Sequence, residues 1–128
     1  MTPEAAVYQF LGSFGIPAYA ATSTPSDAEF PYITYDLVLG EWLQSEVNMP
    51  VNVWYRTDSE AQPNAKVREI SRAIGGGGTL VPCDGGVLWI KRGSPWAQAV
   101  RTESGDEKIK RRYLNIDIEY IITSDQED

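Results

Sequence analysis

Apolar residues recur along this chain with two different periods, and each change of period marks a new element. Val7, Phe10, Leu11 and Phe14 stand at i, i+3, i+4 and i+7, the spacing of one helix face. Thr2 sits where an N-cap is needed, Pro3 suits the first helical position, and Glu4 meets the positive end of the helix dipole. Gly15 closes this helix with Pro17 just beyond it, and ATSTPSDAE (21–29) is expected to be a polar loop.

The period then drops to two. In FPYITYDLVL (30–39), Ile33, Tyr35, Leu37 and Leu39 share one face while Tyr32, Thr34 and Asp36 share the other. GEWLQ (40–44) reads as a turn. Alternation resumes in EVNMPVNVWYR (46–56), with Val47, Met49, Val51, Val53 and Tyr55 against Glu46, Asn48, Pro50, Asn52 and Arg56. Proline cannot donate to a ladder, so Pro50 predicts an edge strand or a bulge at this point.

From Ser59 a helical period returns, with Val67, Ile70 and Ile74 as the seam, Ala65 and Ala73 beside it, and Lys66, Arg68, Glu69 and Arg72 facing water. Ser59 with Gln62 resembles a capping box, although Pro63 moves the expected start a residue or two later. Strands follow at about 79–82 and 86–92, then a long polar connection over 93–112. The last strand, 113–123, alternates Leu114, Ile116, Ile118, Tyr120 and Ile122 with Asn115, Asp117 and Glu119, and SDQED (124–128) reads as a frayed, flexible acidic tail. Because strands come in runs and not in strict alternation with helices, the pattern predicts a single α+β domain. Its sheet is mainly antiparallel (mixed), with two helices packed on one face.

Composition narrows the function. A chain of 128 residues, 42% of them hydrophobic, supports one core and is too short for two ordinary domains. It has no apolar run near the roughly 20 residues of a membrane span and no signal-peptide pattern at its start, so a soluble protein made in the cytoplasm is expected, with no membrane partner. Histidine is absent and Cys83 is the only cysteine, which removes Ser-His and Cys-His nucleophile pairs, internal disulfides and ordinary zinc sets. Neither an enzyme nor a cofactor or metal site is expected.

The net charge of −7 is unevenly spread: residues 1–55 hold six acids and no Lys or Arg, and all eleven basic residues lie from Arg56 onward. An acidic chain repels nucleic acid on average, so DNA contact would have to be local. Lys108, Lys110, Arg111 and Arg112 form the one basic cluster, with Trp96 available for stacking on a base. Glu103, Asp106 and Glu107 nearly cancel that charge in the same loop, and protein contact fits it better.

IGGGGTLVPCDGG (74–86) has the composition of a phosphate loop but the wrong order. The helix precedes the glycines, and neither GK[ST] nor GxGxxG follows. Gly75 is expected to end the helix in a left-handed conformation, the other glycines to form a flexible link, and CDGG (83–86) to turn one strand into the next. Asp84 beside Cys83 raises its thiol pKa if anything, which favours a packing role. Asp117 and Glu119, with Asp36 a possible third, have the residue types for a hard cation or an acid and base pair; acids alternating on a strand more often mark a solvated or subunit-facing side.

FPYITYDLV after an N-terminal helix and acidic loop, NVWYR (52–56), NAKVREI (64–70), the glycine link and a closing LNIDIEY (114–120) together resemble the tail terminator, or tail completion, proteins of long-tailed bacteriophages. The likeness runs from about residue 4 to 122. It implies a non-enzymatic virion protein: a homo-oligomeric ring, a hexamer, that caps the tail tube, stops its growth and offers the head connector a joining surface. Its partners would be further copies of the chain, the tail tube protein and the head connector protein, with DNA met only in passing through the lumen. A ring needs a heterologous interface, and the uneven charge suits a head-to-tail contact. Pro50, Asn52, Trp54, Arg56, Trp96, Lys108, Lys110, Arg111 and Arg112 are the candidate subunit and tube contacts, and Asp117 and Glu119 the candidate lumen face. The competing readings are a nucleic-acid-binding accessory module using the basic loop 108–112, and another phage neck or minor tail protein.

Overall fold

In the computed structural model, which describes residues 1–37 and 46–123, the Thr2 hydroxyl accepts the Ala5 amide at 3.1 Å and opens helix α1 (Pro3–Leu11). A 3-10 turn, Gly12–Phe14, extends it to Gly15, whose φ of 83° and ψ of 0° give the left-handed stop. The N-cap, N1 proline and terminal glycine all stand where the sequence places them.

The chain next forms a strand that the periodicity missed, β1 (Ala18–Ala20), which runs parallel to β2 (Tyr32–Tyr35). Three residues after a proline carry too little alternation to read. Strand β3 (Val47–Arg56) pairs antiparallel with β2, and its Val47, Met49, Val51 and Val53 are buried as expected. Leu39, the turn at 40–44 and the tail at 124–128 lie outside the described residues.

Helix α2 (Ala61–Ile74) begins two residues after Ser59, whose hydroxyl accepts the Ala61 amide at 3.0 Å; Gln62 makes no reciprocal capping bond. Ile70 and Ile74 are buried. Lys66 departs from its expected solvent position: its side chain is 14% exposed and its ammonium donates to the Phe14 carbonyl at 2.6 Å, tying α2 to the turn after α1. Strands β4 (Thr79–Cys83), β5 (Gly86–Val100) and β6 (Ile109–Ile122) complete a mixed six-stranded sheet in the order β1-β2-β3-β6-β5-β4. The fold is the expected α+β arrangement, with both helices on one face of a mainly antiparallel sheet.

Two expectations are corrected. β3 is not an edge, since β2 and β6 flank it. Pro50 is tolerated there because a strand residue points its nitrogen and carbonyl the same way, and this side of Pro50 meets the end of β2. The Asp36 amide donates to the Pro50 carbonyl at 3.0 Å, and the return bond proline cannot make is the one that would have extended the ladder past Tyr35.

The connection 93–112 is also shorter than its composition suggests. β5 and β6 are two long strands that leave only 101–108 as loop. Their register shifts between Arg92 and Ala97, so 93–96 bulge out opposite Asn115, whose side-chain amide donates to the Pro95 carbonyl at 2.8 Å. Gly93 lies against the Asn115 backbone, where a Cβ would meet its carbonyl oxygen at 3.0 Å.

The core fills the space between the helices and one sheet face. Val7 and Leu11 of α1, with Ile70 and Ile74 of α2, meet Ile33, Val51, Val53, Leu88, Ile90, Leu114, Ile116 and Ile118, all at most 1% exposed. Full burial of each such side chain contributes about 1.5–3 kcal/mol. Among the described residues the other sheet face carries no helix, and it holds most of the candidate residues that the sequence singles out.

Candidate functional site

Strand register assembles a cluster on the helix-free face. Trp54 of β3 lies between Tyr32 of β2 and Arg111 of β6, and Asn52 lies between Thr34 and Tyr113. The Tyr32 and Trp54 rings stack with centroids 6.3 Å apart, and Tyr32 also meets Phe30 at 5.3 Å and Tyr19 at 6.0 Å. The Trp54 indole N–H donates to Thr34 Oγ1 at 2.9 Å, so its orientation is fixed.

The Arg111 guanidinium lies 5.4 Å from the Trp54 ring and 6.0 Å from that of Tyr113, while its Nε donates to Asn52 Oδ1 at 2.7 Å. Asn52 is only 8% exposed, and this bond satisfies its carbonyl. Burial, then the neighbouring Tyr19, pushes the Tyr32 hydroxyl pKa up, so it stays neutral. The result is a half-exposed aromatic surface with one cation held in it. The sequence named Trp54, Asn52 and Arg111; it missed Tyr32 and Tyr113, which the polar side of their strands could have flagged once register was known.

The basic cluster is divided by the pleat. Arg111 faces the helix-free side, whereas Lys110 and Arg112 face α2. Arg112 is 6% exposed; its Nη2 donates to Glu60 and its Nε to Asn64 Oδ1 at 3.0 Å. The hydrogen bond from Arg112 holds the Glu60 carboxyl below the ordinary range. Lys110 stands 3.7 Å from Glu60 and Lys108 3.9 Å from Asp58. Arg56 donates to Asp106 at 2.9 Å, and the Lys108 amide, then this bond, depress the Asp106 carboxyl pKa. These cations are matched by acids of the same chain. Lys110 and Arg112, with Glu60 and Asp106, line an open cleft of about 730 Å³ between the β5–β6 hairpin and the start of α2.

Trp96 is half-buried. It sits in the β5 bulge and packs against the core. Pro50 and Arg56 lie on the helix-free face with Asn52 and Trp54, so the candidate contact residues form no single patch: five share that face, Lys110 and Arg112 point to the opposite one, Lys108 is in the loop and Trp96 is turned inward.

Asp117 and Glu119 also project from the helix-free face, near the opposite end of β6. Asp117 accepts from the Asn48 amide at 3.0 Å, and Glu119 lies 3.5 Å from the Lys91 ammonium, which also pairs with Glu46. The bond to Glu46 raises the Lys91 pKa. Among the described residues, no group of three or more His, Cys, Asp or Glu side chains is placed to hold a metal ion.

The glycine link is a defined turn. Trp89 donates its indole N–H to the Gly77 carbonyl at 2.8 Å, and Gly78, at φ 87°, lies where a Cβ would meet the Ile90 carbonyl at 2.8 Å. Gly75 has the expected positive φ, 79°, but an extended ψ of 173° in place of the left-handed helical value. Asp84 and Gly85 turn β4 into β5. Burial, then Asp84, raises the Cys83 thiol pKa, so the thiol stays protonated, as its sequence neighbours suggest. Cys83, Lys91 and Tyr32 move up and Glu60 and Asp106 move down, so each is held further in its ordinary charge state at neutral pH.

No protein family and no curated protein matches this sequence. The fold is similar to that of a chain in the solved virion of a native gene transfer agent particle: 20% identity, a TM-score of 0.66, 93% of this chain and 94% of that one.

Proposed function

We propose that this protein is a structural component of a virion and that it acts as tail terminators do. Copies form a ring on the last ring of the tail tube, halt its growth and present the surface to which the head connector joins. The observation that carries the reading is the end-to-end likeness of fold to a chain of a gene transfer agent virion. Its finer part rests on the resemblance of FPYITYDLV, NVWYR, NAKVREI and LNIDIEY to the terminator family. The helix-free face supports it, because an aromatic surface with a stacked, hydrogen-bonded cation suits a protein interface.

In this reading Asn52, Trp54 and Arg111 contact a neighbour or the tube, and Asp117 and Glu119 line the passage and repel DNA. The nucleic-acid alternative is weakened by the pairing of Lys108, Lys110 and Arg112 with Asp58 and Glu60 and by the inward Trp96. The test is to challenge the purified protein with preformed tail tubes and, separately, with duplex DNA over a salt series. Saturable tube binding without salt-dependent DNA affinity supports the terminator; DNA affinity that falls steeply with salt, without tube binding, overturns it.

A further inference from the structure

Each end of the sheet leaves strand edge unpaired. At one end β4 pairs with β5 only from Gly86 to Ile90, so beyond the bulge 97–100 have β6 on one side and no strand on the other. No backbone hydrogen bond from 97–100 reaches an element other than β6 among the described residues. Gln98 and Ala99 are exposed, and 97–100 hold no lysine or proline, while the bulge at 93–96 with Pro95 limits the free edge to these four residues. At the other end β1 has β2 as its one strand neighbour among the described residues, and the Thr24 hydroxyl donates to the Ala20 carbonyl at 3.2 Å.

We propose that these two edges pair between copies of the chain, β1 of one copy adding to 97–100 of the next. The inference rests on the ring reading for its occupant, a second copy, and gives that ring its contact. Three observations fit the occupant. First, direction: β1 and β6 both run with β2, and β5 runs against them. A head-to-tail repeat about an axis along the strands therefore sets β1 antiparallel to β5 of the next copy, the more stable pairing.

Second, shape: Val67, Ala97 and Ala99 border a shallow groove of about 230 Å³ between α2 and this edge, on the helix face of the sheet. The helix-face residues of β1 are Ala18, buried in its own core, and Ala20, half-buried against it, and both are small enough to leave room for α2 of the next copy beside the edge. Third, charge: Arg68 lines the groove and Arg101 follows the edge, and neither has an ion-pair partner among the described residues. A depression beside β1 is lined by Asp27, Glu29, Pro17 and Tyr19 and contains no basic residue. Main-chain bonds would supply affinity while the charges fix register and direction.

The test uses the full chain with Cys83→Ala to remove the native thiol. Tyr19 and Gln98 both lie on the helix-free face, so Tyr19→Cys with Gln98→Cys, and as a register control Tyr19→Cys with Val100→Cys, are oxidised at millimolar concentration. A ladder of disulfide-linked multimers that needs both cysteines supports the pairing. No ladder from either pair, with circular dichroism unchanged, overturns it.

In parallel, Arg68→Glu with Arg101→Glu, and separately Asp27→Arg with Glu29→Arg, are each expected to weaken self-association about tenfold or more. A one-to-one mixture of the two variants restores it, because each reversed face meets the other. Failure of the mixture to recover also counts against the pairing. Both results are independent of tail morphology: terminated, headed tails without cross-links would reject the edges and keep the ring, whereas cross-links with normal tails in the protein's absence would reject the ring function alone.

Discussion

Arg112 places its guanidinium beneath the first turn of α2, where it donates to Glu60 and to Asn64 Oδ1. At 6% exposure it ties the distal half of the β5–β6 hairpin to the helix, and it is a core residue despite its place in a run of four basic residues interrupted by Ile109. Arg112→Met removes both bonds and is expected to lower the unfolding free energy by about 2 kcal/mol, measured by urea titration. Arg101→Ala, with no ion-pair partner among the described residues to lose, should stay within about 0.5 kcal/mol of the parent. Replacing Lys110, Arg111 and Arg112 together by Glu is therefore no clean probe of assembly, because it breaks this tie as well.

Acid should weaken this same connection. The folded-state carboxyls of Glu60 and Asp106 are depressed by hydrogen bonds from Arg112, the Lys108 amide and Arg56. A depressed folded pKa contributes stability that is present above the unfolded value and lost as pH falls through the folded one. The thermal midpoint should drop on acidification below the ordinary carboxylate range, and Glu60→Gln should flatten part of that fall in a series from about pH 7 to about pH 3. An unchanged pH profile in the variant would contradict the assignment.

Glycines of this chain differ sharply in what they tolerate. A Cβ at Gly86 would lie 2.0 Å from the Ile121 carbonyl oxygen, so Gly86→Ala must part β5 from β6. It is expected to cost about 3 kcal/mol or more. At Gly76 the nearest atom is an Arg92 side-chain nitrogen at 3.9 Å, and Gly76→Ala should shift the thermal midpoint by no more than a degree or so. Differential scanning calorimetry of the two variants checks the contrast.

Trp54 and Arg111 should behave as one unit. A double-mutant cycle with Trp54→Ala and Arg111→Ala is expected to give a coupling energy of about 0.5–1 kcal/mol in urea unfolding. Additive losses would mean that the ring and the cation share a neighbourhood without interacting.

Much of this architecture is legible in the periodicity, and the parts that are not have physical reasons. Val47, Met49, Val51 and Val53 alternate without a break, both helices carry their seams in the sequence, and α1 carries its cap there too. β1 escaped because three residues after Pro17 hold no pattern. The ends of β5 and β6 escaped because the bulge at 93–96 interrupts alternation with Gly, Ser and Pro, and because Lys110, Arg111 and Arg112 put charge on both faces of one strand. The contact residues were legible as types and not as a patch: only register shows that Trp54 meets Arg111 while Arg112, one residue on, meets Glu60 on the other side of the sheet.

The central claim is the capping of a tail tube, and electron microscopy of tails assembled with and without this protein tests it most directly. The account predicts that tails made without it are overlong or headless and that adding the purified protein restores uniform, head-joined tails. Tails of normal length joined to heads in its absence would contradict it.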